Sequence, residues 1–329
     1  MRTSKSLTLL MLVALFVFIF TGCKKDNSTT TSTSTASNVN AVTQTAQDAE
    51  SQDAVSTNVE QNADDQADAL EASNYNTSDA KSAAGVVVTV DHPDTTYFPK
   101  VITITFNDTG LVVNGEKMSE TGTITIDVSL QPGTSWWRNR IMRVITFTNF
   151  SVTTDSSSFT VNGTRTMKRI SWVPSLSSNK LDLNVLITDS IHSDITVGIT
   201  DGSFTGSFTR NVARQRVYNV NYFKYAASNH LWHPAFLKDT LTITGTITGM
   251  NLQDSAYSRV ITTPLVYALC PVYPYNLVAK GVIKDTEGTK VVTISYAPDG
   301  CKNKVTATDG EGKTININYK WDRTFRKWW

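Results

Sequence analysis

Apolar residues alternate with threonine or asparagine through much of this chain, and that alternation is what most narrows its fold. Val101-Ile102-Thr103-Ile104-Thr105-Phe106, Thr123-Ile124-Thr125-Ile126-Asp127-Val128, Leu241-Thr242-Ile243-Thr244 and Ile315-Asn316-Ile317-Asn318-Tyr319 place apolar side chains on one face and polar ones on the other. A period of two marks a half-buried strand, because successive side chains of an extended chain point to opposite sides. Between such runs stand Asn114-Gly115, Asn162-Gly163, Asp201-Gly202, Asp299-Gly300 and Asp309-Gly310, dipeptides that suit tight turns. No segment has a helical period. The sequence therefore predicts an all-β domain of antiparallel hairpins and meanders over residues 86–329.

The pattern also repeats. Val101 to Gly110 matches Val291 to Gly300 in its apolar, hydroxyl, aromatic and glycine positions. A looser element beginning with glycine recurs at Gly122, Gly163, Gly206, Gly245 and Gly281, at intervals of about 36 to 43 residues. Two related lobes, 86–205 and 206–329, are one reading of this. The other is that threonine-rich hairpins resemble one another by composition.

The first 85 residues are of a different kind. Arg2 and Lys5 precede an apolar run from Leu7 to Phe20, which ends in Thr21-Gly22-Cys23. A basic start, a short apolar run and a small residue before the junction are the order of a secretory signal. The run falls short of the roughly 20 apolar residues needed to span a bilayer. Phe20-Thr21-Gly22-Cys23 resembles a lipobox, with Phe20 where Leu is usual. The expectation is a signal peptide over 1–22, cleavage before Cys23, and acylation of Cys23 with chains such as palmitate. More than one acyl chain, at about 0.8 kcal/mol per buried methylene, gives stable anchoring to a membrane.

From Asp26 to Gly85 the chain has ten acidic residues against one Lys, a net charge of −9; from Val86 to Trp329 it has 25 Lys and Arg against 19 Asp and Glu, net +6. The acidic part is Ser, Thr, Asn, Ala, Gln and Asp with few large apolar residues, which cannot build a core. Residues 23–85 thus read as the acylated cysteine and a disordered stalk carrying a mildly basic β domain. Lys24 and Lys25 follow the cysteine without the Asp that retains some lipoproteins at the inner membrane. That points to the outer membrane, with the domain facing either the periplasm or the cell surface. In such an oxidising compartment the remaining cysteines, Cys270 and Cys301, are even in number and suit a disulfide bond, with two separately buried thiols as the alternative.

Several segments together resemble a known group. Val144-Ile-Thr-Phe-Thr-Asn-Phe150, Val161-Asn-Gly-Thr-Arg-Thr166, Thr263-Pro-Leu265 ahead of Cys270, Gly281-Val-Ile283 and Gly300-Cys301-Lys302-Asn303-Lys304 are similar to uncharacterised β-rich lipoproteins of Bacteroidota. The likeness covers most of the span from Lys100 to Tyr319. It implies an exported β-rich architecture and the paired cysteines, and nothing catalytic. Lys302 stands where that group commonly has an acid.

The chemistry-bearing residues point to binding more than to catalysis. His230 and His233 are three apart, but zinc takes three or four ligands and only Asp239 is close in sequence; His92 and His192 stand alone. No metal or other cofactor is expected. There is no Gly-x-Ser-x-Gly elbow, no HExxH and no phosphate-cradling glycine loop. The carboxylate pairs Asp182 with Asp189 and Asp194 with Asp201 read as solvated strand ends. Trp136-Trp137-Arg138-Asn139-Arg140 is the strongest lead, because adjacent tryptophans in an extended chain face opposite sides and one is left for solvent. Exposed flat rings beside Arg suit stacking on a sugar or docking of an envelope protein, whereas ordinary hairpin packing is the plainer account. Trp136, Trp137, Arg138 and Arg140 are therefore the candidate ligand-binding residues. The partners expected are a membrane through the lipid anchor, and glycans or envelope proteins, with no nucleic acid. The overall expectation is a non-catalytic binding or structural module, with a glycan-processing enzyme of the envelope as the alternative.

Overall fold

The structure is a computed structural model, and it describes residues 85–92, 98–108, 110–113, 116–130, 141–155, 157–176, 183–202, 204–221, 240–270, 273–296 and 305–317. Cys23, the expected stalk, Trp136, Trp137, Arg138, Arg140, His230, His233 and Cys301 lie outside the described residues. Among those described, all regular structure is strand. The strands are β1 (Val86–Val90), β2 (Lys100–Asn107), β3 (Leu111–Val113), β4 (Glu116–Leu130), β5 (Ile141–Thr154), β6 (Ser157–Leu176), β7 (Leu183–Asp201), β8 (Phe204–Asn221), β9 (Thr240–Met250), β10 (Ala256–Cys270), β11 (Tyr273–Glu287), β12 (Lys290–Tyr296), β13 (Val305–Asp309) and β14 (Thr314–Ile317).

They form one antiparallel meander. The hydrogen-bonded order runs β1-β2-β4-β5 and then through each successive strand to β14, with β3 paired to β4 alone. The all-β expectation holds, and the reason is the alternation. A row on the inner face runs Ile102, Ile126, Ile145, Arg165, Ser193, Val212, Ile247, Arg259, Asp285 and Val292, each opposite the next on neighbouring strands. The outward row beside it runs Thr89, Thr103, Thr125, Thr146, Thr164, Asp194, Asn211, Thr248, Ser258 and Thr286. One face buries aliphatic groups, while the other offers hydroxyls to water on β-branched side chains that favour the pleat.

The aliphatic side chains of the inner face are buried in apolar clusters. One apolar cluster spans β1 to β8, from Val86 to Phe208, and a second spans β9 to β14, with Ile261, Ile283, Ile294 and Ala307 among its members. Phe150 ties the first together, its ring 5.0 Å from that of Phe106 in a tilted contact and 6.5 Å from that of Phe159 in an edge-on one. The repeated segments bury equivalent positions, Ile102, Ile104 and Phe106 in β2 and Val292, Ile294 and Tyr296 in β12. The position between residues 205 and 206 lies inside β8, which pairs with β7 along its length.

The recurring glycines mark where strands bend. Gly122, Gly163, Gly245 and Gly281 have φ of 98°, 125°, 124° and 142°, all inside strands. At Gly163 a Cβ would run into the backbone of Asp194 and Ile195 on β7. Only glycine allows that approach. The expectation of a turn at Asn162-Gly163 is therefore corrected: the pair lies within β6 opposite a bulge in β5, between Phe147 and Phe150. Asn162 supports that bulge, its Oδ1 accepting from the N–H of Asn149 at 2.7 Å. Asp201-Gly202 and Asp309-Gly310 do stand at strand ends, and Asp309 Oδ1 accepts from the N–H groups of Glu311 and Lys313.

Candidate functional site

The inner face should be apolar along its length, and on β5 to β8 it is not. From the Gly163 bend onward it carries Arg143 on β5, Arg165 and Arg169 on β6, Asp189 and Ser193 on β7, and Arg210, Arg214 and Arg216 on β8. These positions keep the phase of the buried aliphatics: Ile141-Met142-Arg143-Val144-Ile145 and Arg210-Asn211-Val212-Ala213-Arg214 alternate buried with less buried residues. Arg165 and Arg210 are 0% and 1% exposed and rank among the largest fully buried side chains. Each sits in a strand whose register fixes its row, so the belt follows from the alternation itself.

Three features define it. First, Asp189 lies opposite Arg169 on one neighbouring strand and Arg216 on the other. Arg169 Nε donates to Asp189 Oδ1 at 2.9 Å and its terminal nitrogen to Oδ2 at 3.4 Å. Second, a similar fork closes the belt on β10 and β11, where Arg259 donates to both oxygens of Asp285 at 2.9 and 3.0 Å. Paired, nearly parallel N–H···O bonds of this kind are the strongest charge-assisted contacts, and burial makes them costly to break. Third, apolar groups bound the belt at both ends, the Phe150 cluster on one side and Val185, Ile187, Trp172 and Tyr218 on the other. Among the described residues of β5 to β8, buried arginines outnumber buried acids.

Asp189 corrects the reading of the carboxylates as solvated strand ends. It is 4% exposed, deep inside β7, and held by Arg169. Asp194 is exposed on the outward face and Asp201 ends β7, as expected of solvated acids, while Asp182 lies outside the described residues. His92 and His192 are both exposed on separate strands or loops, and no group of three metal-binding side chains occurs among the described residues. Cys270 ends β10.

A further buried acid among the described residues lies on β4. Glu120 on β4 is fully buried, opposite Val152, and burial pushes its carboxyl up to about 7. On the outward face Val173 lies opposite Leu186, with Ile170 nearby, at 51%, 41% and 53% exposure. Together they form a small apolar patch on the longest hairpin.

The arginines of the belt are the residues that the sequence reading missed. Their signal was present as Arg in phase with Ile and Val, but a basic residue in a strand is ordinarily a solvated one. Comparison with protein-family models, curated proteins and solved structures finds no match to this chain.

Proposed function

We propose that the chain is a lipoprotein of the cell envelope, anchored through Cys23 at the outer membrane, whose sheet is a non-catalytic binding module. The observation that carries the binding role is the arginine belt. Burying many guanidinium groups works against stability, since each must be taken out of water and compensated. Sequences that place charge on a face otherwise built of Ile and Val usually do so at a functional site. The apolar run ending at Thr21-Gly22-Cys23 supports the anchor, and the hydroxyl-covered outer face suits a sheet held in water beside a membrane. Trp136, Trp137, Arg138 and Arg140 belong to the same proposal as contacts for glycans or envelope proteins.

The alternative, a glycan-processing enzyme, draws on Glu120, whose carboxyl at about 7 falls in the range of a general acid. Hydrolysis of a glycosidic bond ordinarily takes two carboxyl groups about 5 to 10 Å apart. The neighbours of Glu120 on the inner face, Met118 and Val152, are apolar. The binding module is thus the better reading.

The anchor is tested by Cys23→Ala. Fatty-acid labelling of the protein is lost and the chain moves from the membrane fraction to the soluble one. Labelling that persists in this variant removes the anchor from the proposal.

A further inference from the structure

β1 stands first in the hydrogen-bonded order and, among the described residues, pairs with β2 alone. Its free edge cannot be filled by the far end of the sheet. Fourteen strands less β3 leave a path of thirteen, and every pairing along it is antiparallel. The first and the thirteenth strands therefore run in the same direction, so β1 and β14 cannot close the meander with an antiparallel ladder.

The ladder with β2 decides which backbone groups face that edge. The Asn107 N–H donates to the carbonyl of Gly85 at 2.7 Å, and the Asp91 N–H donates to that of Val101 at 3.1 Å. Hydrogen-bonded positions alternate along an antiparallel pair, so Val87 and Thr89 also turn toward β2. Val86, Val88 and Val90 turn their N–H and C=O groups the other way, to the edge. All three lie on the inner face. Val86 is 2% exposed, whereas Val88 and Val90 are only partly buried against the larger apolar cluster. On the outward face Val87 is 48% exposed. The strand Val86-Val87-Val88-Thr89-Val90 holds neither charge nor proline, the residues that ordinarily keep an edge from pairing.

This edge is complementary to itself. About a two-fold axis through Val88, that residue meets Val88 of a second copy, Val86 meets Val90, and Val87 meets Thr89. The backbone groups brought together are those that turn to the edge, enough for about six N–H···O=C bonds. The inner row of valines continues into that of the second copy and covers Val88 and Val90. A contact of this kind uses the same surface on both partners and closes at two. The residues just ahead of β1, from Ser78 to Gly85, are Ser, Asp, Ala, Lys and Gly, types that suit a strand poorly.

We propose that β1 is a self-association edge, at which two copies of this chain pair β1 with β1 in this register to form one continuous sheet. The pairing depends on neither the lipid anchor nor the arginine belt. Five residues of each copy take part, against about 20 to 30 a side in a standard interface. The dimer is therefore weak, half-formed at about 0.1 mM.

The test is sedimentation equilibrium of the full chain up to about 1 mM, which shows a reversible monomer–dimer equilibrium. Val87→Lys places a charge on an exposed side chain, keeps the unfolding midpoint, and moves dimerisation to at least about tenfold higher concentration. Val88→Cys adds a positional readout under mild oxidation, with the parent chain as the control for its native cysteines. Residue 88 lies on the axis, where opposed Cα atoms stand about 5.5 Å apart, so this variant forms a disulfide-linked dimer. Val87→Cys lies off the axis and cross-links about tenfold more slowly. A chain that stays monomeric at the highest concentration overturns the proposal, as does Val87→Lys dimerising like the parent or Val88→Cys cross-linking no faster than Val87→Cys. A monomer in which the amides of Val86, Val88 and Val90 resist hydrogen exchange also overturns it, and gives the edge to the chain's own N-terminal segment.

Discussion

The long central strands bury opposite chemistry at their two ends. On one side of Gly163 the inner face of β5 to β8 is Phe150, Val152, Phe159, Val161, Val197 and Phe208; on the other, the same face holds Arg143, Arg165, Asp189, Arg214 and Arg216 among Ile145, Met167, Ile191 and Val212, with Arg210 level with the bend. In β6, β7 and β8 the same alternate positions stay buried across the bend, and in β5 the bulge between Phe147 and Phe150 shifts the buried positions by one residue so that they stay on this face. The apolar end is what holds the sheet together. The charged end is stable only while its guanidinium and carboxylate groups stay matched. At the apolar end, burial pushes the Glu120 carboxyl up to about 7.

The comparison breaks most readily at Asp189. Asp189→Ala leaves the buried Arg216 and the part-buried Arg169 without the carboxylate between them and lowers stability by about 3 to 5 kcal/mol in chemical denaturation. Replacing Arg169 with Met and Asp189 with Leu together recovers most of the loss. A double variant as unstable as the single one would mean that the pair itself, rather than the stranded charge, holds the strands.

A somewhat smaller effect is expected at the boundary. Gly163→Ala forces a side chain onto φ 125° and against the Asp194 carbonyl, at a cost of about 2 to 4 kcal/mol. Its signature is loss of amide protection on β6 and β7 at the bend. Unchanged exchange there would show that the two ends do not depend on the kink.

The smallest effect concerns Glu120 and depends on pH. Its carboxyl titrates near 4.5 in the unfolded chain and at about 7 in the fold, so the unfolded state gives up the proton first. Stability is fully present below pH 4.5 and falls by about 2 to 3 kcal/mol as pH rises to 7. Glu120→Gln removes that slope, matching the parent chain at pH 4 and exceeding it at pH 8. A parent profile that is flat between pH 5 and 7 would contradict the desolvated carboxyl.

The architecture was legible because alternation is a local property. Val101 to Phe106 and Thr123 to Val128 carry their two faces in the sequence, and β2 and β4 pair them face to face. The bend was not legible. Asn162-Gly163 has the composition of a turn, and only the approach of β7 reveals why glycine stands inside a strand. The belt was hidden by a similar ambiguity. Arg214 lies on the inner face and Lys168 on the outer one, and nothing in either residue alone distinguishes them; the phase relative to Val212 and Met167 does. The aspartates show the same limit, since Asp189 and Asp194 lie five apart on one strand and fall on opposite faces. The sequence reading placed its site at Trp136 and Trp137, outside the described residues, and not on the face where charge is concentrated.

The strand order bears on how such a chain assembles. Among the described strands every pairing joins neighbours in the chain except that of β2 with β4, which skips β3, so most pairings close over short sequence separations. Local pairing of this kind lowers the entropy to be overcome at each step. A chain that emerges from its N-terminal end can add strands in the order in which they appear, with one growing edge exposed at a time. Among the described residues that edge advances to β14, a strand of four residues, which offers another copy little backbone to pair with.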